Sequence, residues 1–79
     1  MTEYVYRVIF ERDEDGGYQV IFPAMPEIIP YGRTLEEARE MAQDALTCHI
    51  QGLKQDGEEV PRDRYVNQKP VIEELKVAV

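Results

Sequence analysis

The sequence predicts an α+β fold, β-β-β-α-β: a mainly antiparallel sheet with one helix on one face. Three observations lead there. Residues 4–10 and 18–22 sort onto two faces with a period of two, and a glycine-bearing polar turn separates them. From Thr34 onward, apolar residues recur at the 3.6-residue period of a one-faced helix. Residues 71–79 then return to alternation.

In the first strand, Tyr4, Tyr6, Val8 and Phe10 fall on one face and Val5, Arg7 and Ile9 on the other. The stretch Glu11-Arg12-Asp13-Glu14-Asp15-Gly16-Gly17 closes a hairpin, its glycines supplying positive φ. The returning strand puts Tyr18, Val20 and Phe22 on one face and Gln19 and Ile21 on the other, and Pro23 ends its ladder for want of an N–H. Residues 28–31 form a short third strand, placed at an edge by Pro30. Gly32 permits the turn into Thr34, an N-cap whose capping box is completed by Glu37 three residues on. The helix stripe runs Leu35, Ala38, Met41, Ala42, Ala45, Leu46, Ile50 and Leu53, and Gly57 stops it. Residues 58–70 form an irregular connection carrying Pro61 and Pro70. In the final strand Val71, Leu75, Val77 and Val79 share a side, and its apolar ending points to a paired strand.

A chain of 79 residues makes one domain with one core, 1–79. So short a chain buries roughly 60% of its unfolded surface, which makes association a common remedy for marginal stability. One helix covers one sheet face, and the other presents Val5, Ile9 and Ile21, a cluster that calls for a partner. A homodimer or higher homo-oligomer is the expectation. No apolar run reaches the roughly 20 residues of a membrane span, and the N-terminus lacks the basic start of a signal peptide, so a cytoplasmic location is expected. The single cysteine, Cys48, excludes an intrachain disulfide.

Nine Lys and Arg against sixteen Asp and Glu give a net charge of −7. Phosphate backbones repel such a chain, whereas a basic protein is steered toward it. The helix face bearing Glu36, Glu40, Gln43 and Asp44 suits a basic partner, its alternative role being a solvated face.

Reactive constellations are missing. With no serine, a serine triad is excluded. Cys48 and His49 are neighbours on a helix and diverge by about 100°, so they form no thiolate pair. His49 falls on the apolar stripe as a packed or rim residue. No second histidine or cysteine exists to build a zinc site. Glu11, Asp13, Glu14 and Asp15 lack the glutamate twelve positions on that a calcium loop needs, and the remaining acids are too scattered for a two-metal nuclease. Gly16-Gly17 lacks the lysine and the following helix of a phosphate loop. No catalytic, cofactor-binding or metal residue is assigned, and no enzymatic activity is expected.

The order and spacing of these pieces resemble the HicB-like antitoxin family over nearly the whole chain. The matching residues are Tyr4-Val5-Tyr6-Arg7-Val8-Ile9-Phe10, Asp13-Glu14-Asp15-Gly16-Gly17-Tyr18, and Val20-Ile21-Phe22-Pro23-Ala24-Met25-Pro26. They continue with Gly32-Arg33-Thr34-Leu35-Glu36-Glu37-Ala38 and Gly52-Leu53-Lys54-Gln55-Asp56-Gly57-Glu58-Glu59-Val60-Pro61. The chain departs from the family pattern around the third strand, where Glu27 and Ile28 replace a usual Gly-Cys and Arg33 a usual aspartate. The resemblance implies a partial ribonuclease-H-like fold without catalytic acids, used to bind a small basic HicA toxin that cuts mRNA. Family members often add a C-terminal DNA-binding module, but none is expected within these residues, so DNA binding is not carried over. Two other readings compete: a stand-alone oligomeric HicB-like structural or regulatory domain with no toxin, and a metal-dependent nuclease remnant.

Overall fold

The computed structural model describes residues 2–79. Strands β1 (Ile9–Arg12), β2 (Tyr18–Ile21) and β3 (Tyr31–Gly32) precede one long helix, α1 (Leu35–Gln55). The strands form an antiparallel sheet in the order β1-β2-β3, and the helix packs on one side of it, the expected α+β arrangement.

The hairpin follows from its turn residues. Asp13 and Gly17 close it through Asp13 N–H to Gly17 O (2.8 Å), and Gly16 takes the positive φ of 91° that the tight reversal requires. The β1 ladder sits later in the chain than the sequence suggests. Ile9 pairs with Ile21, so extending the ladder backward would set Arg7 opposite Pro23, which has no N–H to donate. Residues 4–8 therefore run on outside the ladder. Pro30 has the same effect on β3: only Tyr31 and Gly32 pair, opposite Gln19 and Tyr18, while Pro30 contributes its carbonyl to Val20 N–H at 2.9 Å.

Both helix ends are specified locally. Thr34 Oγ1 accepts from Glu37 N–H at 3.0 Å, while the Glu37 carboxylate accepts from Arg33 N–H at 3.4 Å rather than from Thr34, as a strict capping box would have it. At the far end Gly57, with φ 71°, donates to Lys54 O and Glu58 donates to Leu53 O, the two hydrogen bonds of a Schellman stop.

Val20, Phe22, Met25, Ala38 and Ala42 are buried, with Tyr6, Phe10, Tyr18, Ile28, Leu46 and Ile50 packed around them. Met25 enters this core because Met25 N–H bonds to Phe22 O at 2.9 Å, a turn that folds its side chain back beneath the helix. Met41, placed on the apolar stripe by periodicity, is exposed; the buried row is narrower and steps by four through Ala38, Ala42, Leu46 and Ile50.

After the helix the connection is pinned to the N-terminal run, but the expected last strand finds no partner. Residues 71–79 carry no strand pairing, and residues 64–79 are all exposed. A strand exists only where a neighbour completes its hydrogen bonds, and among the described residues none lies beside this tail.

Candidate interaction surface

Three surface features can mediate contact: an acidic helix face, an apolar groove, and a strap that crosses the N-terminal run. Glu36, Glu40, Gln43 and Asp44 are all exposed and follow one another at helical spacing, so the structure brings the four expected contact residues together as a single stripe. Of the residues expected on the uncovered sheet face, Ile9 and Ile21 are directly opposed across the β1–β2 ladder and half-buried, while Val5 is 63% exposed.

The groove lies between residues 2–10 and the underside of α1 and has a volume of about 780 Å³. Val8 and Phe10 line one wall, Leu46 and Ile50 the other, and Phe22 closes the floor. Arg39 and Lys54 are the charged residues of its lining; among the described lining residues there is no acid. Gln43 belongs both to this lining and to the acidic stripe, so the two surfaces adjoin. On the wall opposite the helix, Tyr4 lies between two cations, with Lys54 5.4 Å and Arg62 4.4 Å from its ring centre.

The strap is held by Asp63. Its side chain is 1% exposed and accepts from Arg7 Nε (2.9 Å), Arg7 N–H (2.9 Å) and Tyr65 N–H (3.0 Å). The Arg7 hydrogen bond is the main reason the Asp63 carboxyl ionises below the ordinary aspartate range. Close by, Tyr6 Oη donates to Pro61 O, and burial raises the pKa of that phenol. Removing the acceptor leaves three donors unmatched, so Asp63→Ala is expected to cost about 1–3 kcal/mol. Because folding lowers the Asp63 pKa, its contribution is full above the unfolded value and declines as pH falls through the folded one. The melting-temperature gap between the parent chain and Asp63→Ala should thus be wide at about pH 7 and shrink toward about pH 3. A gap of constant size would show that the carboxylate charge plays no part.

Sequence reasoning missed this strap, since a hydrogen-bonded pair 56 residues apart leaves no periodic signal. It also missed the bond from Tyr31 Oη to Asp15 Oδ2 at 2.6 Å, which pushes the phenol pKa up to about 12 and lowers that of the carboxyl. His49 is half-buried at the rim of the stripe and 3.2 Å from Glu27, while Cys48 is exposed. Among the described residues, no three His, Cys, Asp or Glu side chains are grouped to hold a metal ion, and no helix is long and apolar enough to cross a membrane.

The chain is a small α+β protein whose surface carries an acidic helical stripe, an apolar groove and the Asp63 strap. The chain is a member of the family described as HicB-like antitoxin of bacterial toxin-antitoxin systems, whose model matches residues 6–78. It is 44% identical over 73 residues to Antitoxin HicB 1 of Photorhabdus laumondii and 32% identical over 74 residues to Antitoxin HicB of Escherichia coli K12. These alignments cover 92% and 94% of the chain but 47% and 54% of the relatives, so the chain spans about half the length of the HicB antitoxins it matches. A UPF0150 protein of Thermoplasma acidophilum is 41% identical over 58 residues, covering 73% of the chain and 84% of that protein. No solved structure matches the chain.

Proposed function

We propose that this protein is an antitoxin that binds and masks a small, basic, mRNA-cleaving toxin of the HicA type. The family match over residues 6–78 carries the reading. The net charge of −7 and the exposed stripe Glu36, Glu40, Gln43 and Asp44 supply the physical means, since an acidic surface speeds encounter with a basic one and rejects nucleic acid. The fold serves by placing that stripe on a helix locked at both ends, so little order has to be acquired on binding.

Co-expression tests this directly. A toxin encoded beside this chain should arrest growth alone and cease to do so when the chain is supplied; continued arrest overturns the antitoxin reading. Reversing three charges together (Glu36→Lys, Glu40→Lys, Asp44→Lys) should weaken toxin capture by about tenfold or more, most strongly at low salt. Unchanged capture at low and moderate salt would remove the helix face from the interface.

A second reading, a stand-alone oligomeric structural or regulatory domain, is favoured by the match to the UPF0150 relative, 84% of which the alignment covers. Absence of a toxin gene neighbour would favour it. Self-association is common to both readings. Of the residues expected to carry it, Val5 is the most exposed and it lines the groove, whereas Ile9 and Ile21 already shelter each other across the ladder.

A further inference from the structure

We propose that the groove beneath α1 is filled by residues 71–79 of a second copy of this chain, each copy lending its tail to the other as an added strand. The first observation is a mismatch inside one molecule. Val71, Leu75 and Val77 are 84%, 87% and 76% exposed, while an apolar groove of about 780 Å³ stands open elsewhere in the same molecule. The tail alternates like a strand that packs on one face, yet it has neither a hydrogen-bonding neighbour nor a face to cover. The groove offers both. β1 is an edge strand, with β2 on one side only, and residues 2–8 continue along the open side.

The dimensions agree. The groove follows α1 from Arg39 to Lys54, which at about 1.5 Å per residue is about 23 Å, and seven residues of extended chain at about 3.3 Å each span the same length. Residues 71–77 supply seven. Charge agrees as well. In a chain of net charge −7, the groove lining carries Arg39 and Lys54 and, among its described residues, no acid, whereas the tail brings Glu73 and Glu74 against Lys76. Glu73 shares the face of Val71, Leu75 and Val77, the one that would turn toward the helix and its two cations. This basic rim also argues against a basic toxin as the occupant.

The donor is a second copy because the chain's own tail leads away from the body. The strap is fastened at Asp63, every residue from 64 on is exposed, and the molecule measures 49 Å along its longest axis against 27 and 23 Å across. Reciprocal exchange places two identical tails in two identical grooves, which closes as a twofold dimer and removes both exposed edges.

Chains with Cys48→Ser and one new cysteine test this, half carrying Val77→Cys and half, with a different tag, carrying Gln43→Cys or Gln51→Cys. Oxidation of the mixture should yield a disulfide-linked pair containing both tags with at least one groove position. Light scattering should report a dimer for the parent chain and a monomer for a chain lacking residues 71–79 and for Leu75→Asp. Helical circular dichroism should be unchanged in Leu75→Asp, because that side chain lies free in the single molecule. A parent chain that stays monomeric, a dimer that survives loss of the tail, or an oxidised mixture with no disulfide-linked pair carrying both tags each overturns the proposal.

Discussion

Phe22→Ala is expected to lower the unfolding free energy by about 3–5 kcal/mol, the range for deleting a fully buried aromatic side chain. Phe22 has no exposed surface, and it packs with Val20, Met25, Ala38 and Ala42, which together are the buried hydrophobic centre of the fold. It also forms the floor of the groove. Two consequences follow from that position. The cavity left behind joins a space already open to solvent, so water enters and the neighbouring residues cannot simply collapse inward. The loss is also large relative to the whole, since a chain of 79 residues has a stability of about 4–12 kcal/mol. Urea titration followed by helical circular dichroism measures it. The midpoint should fall steeply with an unchanged slope, and Phe22→Leu should recover more than half of the difference. A loss below about 1 kcal/mol would mean that the centre of the core lies elsewhere.

The helix and the turns were legible in the sequence because their signals are local. Thr34, Glu37 and Gly57 mark the helix ends through hydrogen bonds that span no more than five residues, and they do so whatever the rest of the chain is doing. The sheet was legible in its faces but not in its limits. Phe10 and Val20 do point at the helix, yet the ladder starts at Ile9 because of a proline on the opposite strand, a fact that alternation within residues 4–10 cannot contain. The acidic stripe followed from helical periodicity alone, and the structure shows its four members exposed together. The groove and the Asp63 strap were not legible. Both arise where residues 2–10 meet segments distant in sequence, the helix from Arg39 on and the strap at Asp63, and one aspartate among sixteen acids gives no sign of being the buried one. The tail is the converse case. Its alternation predicts a paired strand, yet residues 71–79 carry no strand pairing in the fold, because pattern within a segment says nothing of where a neighbour lies.

Gly32→Ala should destabilise the protein by about 2–3 kcal/mol, although the change adds a single methyl group. The reason is not backbone freedom, since Gly32 does not adopt a positive φ. A Cβ built there would overlap the backbone nitrogen and Cα of Ala38. Neither side can yield cheaply. Gly32 is tied into the sheet opposite Tyr18, and Ala38 is a buried residue in the first turn whose N–H bonds to Thr34 O at 2.9 Å. Making room means moving strand and capped helix apart, which loosens Ala38 and Ala42 from Val20 and Phe22. At about 4–8 °C per kcal/mol for a domain of this size, the melting temperature should drop by about 8–24 °C. Gly52→Ala is the matched control. Gly52 lies within α1, and a Cβ there meets nothing within 4 Å. The substitution removes only the entropic cost of a helical glycine and should stabilise the chain by about 0.5–1 kcal/mol. Opposite signs for the same chemical change would locate the effect in the contact between β3 and α1. Equal signs would mean that the strand and the helix are not held as closely as the structure places them, and the rigid seating of the acidic stripe on that helix would lose its support.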